Sequence, residues 1–266
     1  MRHISLDELK QIQLNIMKTV HQFCVDNGLK YTLAYGSMLG AVRHGGFIPW
    51  DDDIDIIMPR KDYDVFVRNF RHEYINVYDS RKDIDYCYPF AKAVDSRTVL
   101  EENTALENHG VDIDIFPLDD MFDDYSECLN FMSSVMPLKK KFRYKLVRPS
   151  YKNVWWKKIL IRLANLSVSF YSLRELVDKL NRRYAQLNDN GSKYVCMAVG
   201  TECTLKGIFL RSLFEDFEMV PFEDCSFMCI KNRDAFLKQV YGDYMQLPRE
   251  DKRVSPHAIN NVYWKE

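Results

Sequence analysis

Tyr35-Gly36-Ser37-Met38-Leu39-Gly40, followed by Ile48-Pro49-Trp50-Asp51-Asp52-Asp53-Ile54-Asp55-Ile56, is the stretch on which the fold and chemistry of this chain turn. Side chains alternate along a strand, so Asp53 and Asp55 share one face while Ile54 and Ile56 point into a core. Two neighbouring carboxylates repel unless a cation sits between them. Oxygen ligands of this kind suit Mg2+ or Mn2+, which keep places for water and for substrate phosphate oxygens. Asp51 has the same parity and joins the ligands if the strand reaches it; Asp52 faces away. Gly36 lets another group approach the backbone closely, and Ser37 opens a helix whose free N–H groups and hydroxyl can receive a phosphate. Exposed Asp-x-Asp pairs are common, so the pair alone says little. Preceded by a strand-ending Gly-Ser turn, it points to phosphoryl transfer.

Further along, Val111-Asp112-Ile113-Asp114-Ile115-Phe116-Pro117 repeats the alternation. Asp112 and Asp114 share a face, and Asp114 is the third acid of the expected site, as a metal ligand or as the acceptor of a proton from an attacking hydroxyl. Arg43, His44, Lys92 and Arg97 are the cations considered for phosphate binding. Arg253 and His257 are candidates for holding an acceptor.

Around these motifs the pattern predicts an opening helix, with Ser5-Leu6-Asp7-Glu8 as a capping box and Leu9, Ile12, Ile16, Val20 and Phe23 as its apolar stripe, stopped by Asn27-Gly28. A strand over Tyr31 to Tyr35, a helical turn over Ser37 to Arg43 and a strand over Asp53 to Met58 follow, and Pro59 starts another helix. Strands are expected over Ile75 to Tyr78, Cys87 to Val94, Thr98 to Glu101 and Val111 to Phe116. Residues 1–120 thus read as an α/β or α+β catalytic core. From Tyr125 to Asn188 the period is helical, ended by Asp189-Asn190-Gly191. Short strands near Tyr194 to Val199, Phe217 to Val220 and Phe227 to Ile230 and a helix over Asn232 to Tyr241 complete a single unit of 266 residues.

A chain with 47 % hydrophobic and 28 % charged residues has the make-up of a soluble globular protein. No secretory leader or membrane-length apolar run is seen, so the expected location is cytoplasmic. The seven cysteines are scattered and odd in number, as core thiols would be, and Cys225 and Cys229 lack a second pair to make a zinc site. The net charge of −1 conceals an asymmetry: between Glu127 and Glu175 there is no acid but there are eleven Lys and Arg, so the remainder stands at −12. This block, Lys139 to Arg162 at its centre, carries Trp155 and Trp156 beside an amphipathic stretch from Ile159 to Leu173. It suits an anionic membrane face better than nucleic acid; a solvated helical face is the plainer alternative.

With Ala34-Tyr35-Gly36-Ser37-Met38-Leu39-Gly40-Ala41-Val42-Arg43, Gly46-Phe47-Ile48-Pro49-Trp50-Asp51-Asp52-Asp53-Ile54-Asp55, Ile113-Asp114-Ile115-Phe116-Pro117-Leu118-Asp119 and Tyr241-Gly242-Asp243-Tyr244-Met245, the chain resembles the LicD family of phosphocholine transferases, which includes the fukutin-type enzymes. The first two motifs are specific and the last two supportive. The resemblance implies a nucleotidyltransferase-like α+β fold: a mixed-sheet core over residues 1–120, a helical, basic insertion over 121–190, and a small C-terminal α/β segment over 191–266. It places the metal carboxylates at Asp53 and Asp55 and the third acid at Asp114, with an apolar residue more usual where Asp112 stands. The implied reaction moves phosphocholine, or a similar phospho-alcohol, from CDP-choline or a related CDP-alcohol to a sugar hydroxyl of a teichoic acid or other surface glycan precursor. That precursor would be lipid-linked at the inner membrane face, where the basic block would meet it. The same carboxylates would serve a nucleotidyltransferase that releases pyrophosphate, and a silent glycan-binding protein could keep the fold. A DxD-type glycosyltransferase is disfavoured by the absence of a Rossmann-like start.

Overall fold

The Ser5 hydroxyl accepts the Glu8 N–H at 3.2 Å and starts α1 (Leu6–Asp26), which ends as expected at Asn27 and a left-handed Gly28. Only half of the capping box forms. The Glu8 carboxylate turns instead to Arg2 at 2.6 Å and to the Trp264 indole N–H at 3.0 Å. In this computed structural model residues 1–101, 109–149, 154–187, 191–197, 207–253 and 261–265 are described.

After β1 (Arg2–His3) and α1 come β2 (Thr32–Leu33), α2 (Tyr35–His44), β3 (Asp55–Pro59), α3 (Arg60–Asn69), β4 (Ile75–Tyr78), β5 (Ala91–Asp95), β6 (Thr98–Leu100) and β7 (Asp112–Asp120). The expected strand over Tyr31 to Tyr35 is cut short by α2, which begins at Tyr35, so Gly36 and Ser37 lie inside its first turn rather than ahead of it. β3 likewise starts two residues late, at Asp55. The ladder still extends past it, since the Asp114 N–H donates to the Ile54 carbonyl at 2.9 Å. The helical region holds α4 (Tyr125–Leu146), α5 (Trp155–Ser167) and α6 (Leu173–Ala185), the last with a complete Ser172–Glu175 capping box. Then follow β8 (Tyr194–Cys196), β9 (Ile208–Leu210), β10 (Phe217–Phe222), β11 (Cys225–Ile230), α7 (Arg233–Tyr241) and β12 (Val262–Trp264). Val199, Asp189, Asn190, Cys203 and His257 lie outside the described residues.

The central sheet runs β2-β3-β7-β5-β4, with β8 pairing on the far half of β7 and β9 on β8. β3 and β7 are parallel and the other neighbours antiparallel, which makes a mixed sheet of the α+β class. Two strands of this sheet thus come from beyond residue 190. A second, three-stranded sheet joins the chain ends to the middle in the order β1-β12-β6, and β10 and β11 form a hairpin.

α1 and α3 cover the same side of the sheet, where Phe23 meets Phe66 and Phe70 edge-on at 5.7 and 5.2 Å. The isoleucines at 54, 56, 113 and 115 are buried to 1 % exposure or less, as their alternation requires. Where β3 hands over to α3, Arg60 grips the fully buried Asp119 through two hydrogen bonds of 2.6 and 2.8 Å. That explains the acid closing the Ile113 to Asp119 motif: it ties the parallel pair together at the end away from Asp55 and Asp114. The hairpin is anchored by side chains, the Ile230 N–H to the Thr32 hydroxyl and the Met228 N–H to the Tyr31 hydroxyl, both at 3.0 Å.

Candidate active site

The parallel register sets Asp55 directly opposite Asp114, so the acids of the two motifs become neighbours across adjacent strands. Asp51 and Asp53 reach the same place from the chain leading into β3. A Cβ built on Gly36 would stand 2.5 Å from Asp51 Oδ2 and 3.9 Å from Asp53 Oδ1. Gly36 is therefore the floor on which Asp51 rests, and a side chain there would displace it while leaving Asp53 at ordinary contact distance.

Electrostatics follow from that crowding. Burial, and after it the charges of Asp53, Asp114 and Asp51, push the Asp55 carboxyl well above the usual range, against the pull of Lys92. Burial and Asp53 push Asp51 up to about 7. Such a set stores repulsion that a cation would relieve. Lys92, buried at 7 % exposure and opposite Asp114 in the β5–β7 ladder, gives its ammonium to both Asp112 oxygens and to Asp114 Oδ1, each at 3.1 Å. Its aliphatic stem and charge also lie over the Tyr88 ring, 5.3 Å from the centroid. Lys92 is thus brought to the acids and spends its charge on them.

Two further polar groups set the backbone of the site. Ser37, buried at 3 % exposure, accepts the Asp55 N–H through its hydroxyl at 2.8 Å, fastening the first turn of α2 to the start of β3. Gln13 of α1 donates its amide to the Asp52 and Asp112 carbonyls at 2.9 and 3.2 Å, clipping the two acid-bearing segments together. Sequence reasoning passed over Gln13. Its signal was a polar side chain four residues from Leu9 and three from Ile16, on the buried face of an amphipathic helix. Glu223, at the tip of the β10–β11 hairpin, was also missed. It accepts the Phe47 N–H at 2.9 Å, and its own N–H donates to the Gly45 carbonyl at 2.8 Å, so it clasps the loop between α2 and β3. Nothing local in the sequence marks it.

The other expected cations are placed less directly. Arg43 donates to the Tyr244 carbonyl at 2.8 Å and to His44 Nε2 at 3.0 Å. His44 thus accepts through Nε2, and burial followed by the Arg43 charge lowers its pKa, which disfavours the cationic form a phosphate would want. The Tyr241 to Met245 motif gains a purpose here: it docks on the end of α2. Arg97 is drawn elsewhere, bound to Asp95 at 2.6 Å and stacked on Tyr74 at 3.5 Å and near Trp264. Arg253 stacks over Trp50, 5.7 Å from its centroid, beside Asp51.

Hard oxygen donors that repel one another, on a glycine floor, fit a divalent cation such as Mg2+. Among the described residues no group of three or more His, Cys, Asp or Glu side chains is gathered so as to hold a metal ion. Mg2+ ordinarily binds through one or two carboxylates and completes its shell with water and substrate phosphate, so the pair Asp53 and Asp55 is a sufficient donor set. Cys229 lies in the core, where its sulfur accepts the Thr32 hydroxyl at 3.5 Å.

Comparison with known proteins follows the same lines. Residues 28–157 match the family model for the LicD/FKTN/FKRP nucleotidyltransferase domain. Across 99 % of both chains the protein is 30 % identical to the lipopolysaccharide cholinephosphotransferase LicD of Haemophilus influenzae. Shorter matches of 43 % and 47 % identity, covering 21 % and 18 % of this chain and 19 % and 18 % of the relatives, are to uncharacterized proteins of Rickettsia typhi and Rickettsia prowazekii.

Proposed function

Because the chain belongs to the LicD family, matching both its domain model and a relative along nearly its whole length, we propose that it is a phosphotransferase. It moves phosphocholine, or a similar phospho-alcohol, from a CDP-activated donor to a sugar hydroxyl of a cell-surface glycan precursor and releases CMP. The observation that carries this reading is the placing of Asp55 opposite Asp114 across the parallel pair, with Asp51 and Asp53 near enough for their charges to raise the Asp55 carboxyl.

In that reaction the acceptor oxygen forms a bond to the phosphorus next to the alcohol as the bond to the CMP oxygen breaks. Asp53 and Asp55, with Asp51 beside them, would hold Mg2+ or Mn2+, which would neutralise diphosphate charge. The first turn of α2 presents its N–H groups toward that charge. Asp114 accepts the proton of the attacking hydroxyl, and the Lys92 ammonium at 3.1 Å holds it in place. Gln13 and Ser37 hold the two acid-bearing segments at the spacing this requires. Lipopolysaccharide is the acceptor named for the Haemophilus relative; a lipid-linked precursor of such a glycan, or of teichoic acid, is the acceptor class proposed here.

The test is to incubate the protein with Mg2+ and, separately, CDP-choline, CTP and ATP in the presence of a lipid-linked glycan extract, and to identify the leaving group. CMP from CDP-choline, with phosphocholine on the glycan, is expected. Pyrophosphate from CTP or ATP would replace this reading with nucleotidyl transfer. Asp53→Asn and Asp55→Asn should each lower transfer at least about a hundredfold while keeping the circular dichroism of the parent. Full activity in either would remove the metal assignment.

A further inference from the structure

None of the side chains of α5 is buried, although its sequence is Trp155-Trp156-Lys157-Lys158-Ile159-Leu160-Ile161-Arg162-Leu163-Ala164-Asn165-Leu166-Ser167. Trp155 is 74 % exposed, Leu166 67 % and Leu163 57 %, and Phe170 in the turn that follows reaches 93 %. At about 100° per residue, Trp155, Leu166, Ile159, Leu163 and Trp156 succeed one another around the helix within an arc of about 100°. The opposite side faces the protein. There Leu160, Ile161 and Ala164 line a cleft with Arg143, Tyr144 and Val147 at the end of α4, and the Asn165 amide donates to the Tyr144 and Val147 carbonyls, the latter at 3.1 Å. The wide apolar arc is therefore held pointing away from the body, with Arg162 flanking one edge and Lys157 the other.

An exposed apolar face of this size on a helix pinned to its neighbour needs an occupant. Charge chooses among them. The stretch from Glu127 to Glu175 has no acid between its ends and eleven Lys and Arg; Lys140, Arg143, Lys157 and Arg162 are exposed. The structure also corrects the simple picture of a uniformly basic face. Lys139 is buried at 8 % exposure, Lys141 bonds the Tyr171 hydroxyl at 3.1 Å and Lys145 the Ser169 carbonyl at 3.3 Å, which fixes the turn after α5. A second copy packed on α5 would set Lys157 and Arg162 against their own counterparts, whereas a surface of lipid phosphates would neutralise them. Two indoles at the start of the helix suit the boundary between headgroups and acyl chains. No helix among the described residues is long and apolar enough to cross a membrane.

We propose that α5 lies in the plane of an anionic lipid bilayer, its apolar arc among the upper acyl chains and Lys157 and Arg162 at the phosphates. Helices that span and helices that lie flat differ in how their apolar residues are spread, all round in the first and on one arc in the second; α5 is of the second kind. The docking stands apart from the transfer reaction, and measuring it without donor or acceptor keeps the two separable.

The full-length chain is sedimented with vesicles of phosphatidylcholine alone and of phosphatidylcholine mixed with phosphatidylglycerol, with tryptophan emission followed in parallel. Binding to the anionic vesicles with a blue shift is expected, weakening as salt is raised. Leu163→Glu combined with Leu166→Glu should lower partitioning by at least about tenfold, and Lys157→Glu with Arg162→Glu by a similar factor at low salt. These side chains are exposed, so both variants should keep the parent's circular dichroism and melting temperature. Failure of the parent to bind anionic vesicles, or equal binding by the Leu163/Leu166 variant, overturns the proposal. So does concentration-dependent self-association that the same variant dissolves, which would make the arc a contact between copies.

Discussion

Two glycines of α2 separate what a residue does for the fold from what it does for the site. Gly36 and Gly40 are both helical, where alanine is ordinarily favoured by about 1 kcal/mol. A Cβ at Gly36 would meet the end of a side chain, Asp51 Oδ2 at 2.5 Å; one at Gly40 would meet backbone, the Gly46 carbonyl oxygen at 2.3 Å. Gly36→Ala should therefore leave thermal stability nearly unchanged while displacing Asp51 and lowering transfer by roughly tenfold or more. Gly40→Ala should instead cost about 1–3 kcal/mol in a denaturant titration, because the loop behind it cannot yield without moving the chain. Next to Gly36, Tyr35 stands at φ 41°, a left-handed conformation for a bulky residue, with its ring edge-on to Phe116 and Phe236. Strain of this kind gathers where a fold holds a site.

Elements carry the next layer. The alternation of Asp53, Asp55, Asp112 and Asp114 between isoleucines was legible in the sequence because a strand with one apolar face obeys a period of two, and the central mixed sheet follows from it. Where the reading slipped, a tertiary contact had decided. Gly36 and Ser37 look like a turn, yet the Ser37 hydroxyl is taken by the Asp55 N–H, and that bond draws the first turn of α2 onto β3. Lys92, one of the cations considered for phosphate, is seated between two acids by the β5–β7 register. The clasp by Glu223 was invisible because its partners lie some 176 residues away in sequence. Removing it has an element-level effect: Glu223→Ala should release the α2–β3 loop, cost about 1 kcal/mol of stability and raise the KM for donor more than it lowers stability would explain. An unchanged KM would show that the clasp serves folding alone.

On the scale of the whole molecule, the sheet and the helical region are joined through residues 79–84. The Asp79 carboxylate accepts the Tyr63 hydroxyl at 2.6 Å and the Arg81 backbone N–H at 2.8 Å, Arg81 continues to Asp64 at 2.8 Å, and from α6 Asn181 meets Ser80 at 2.9 Å while Arg174 reaches the Asp83 carbonyl at 3.1 Å. Burial works against the charge on Asp79, but the Arg81 guanidinium and these hydrogen bonds outweigh it and hold its carboxyl below the usual value. A lowered folded-state pKa contributes stability that is complete above the unfolded carboxyl value of about 3.9 and is lost as pH falls through the folded one. Unfolding free energy should accordingly fall on that acid limb, and Asp79→Asn, at a cost of roughly 1–2 kcal/mol near neutrality, should flatten it. The architecture also sets an order in time. Asp51 and Asp53 are made early in synthesis, yet the loop that carries them is clasped by Glu223 of a hairpin made far later. A ribosome that has finished the motif has not finished its surroundings, so the nascent chain carries these acids on a loop still unclasped until the hairpin has emerged.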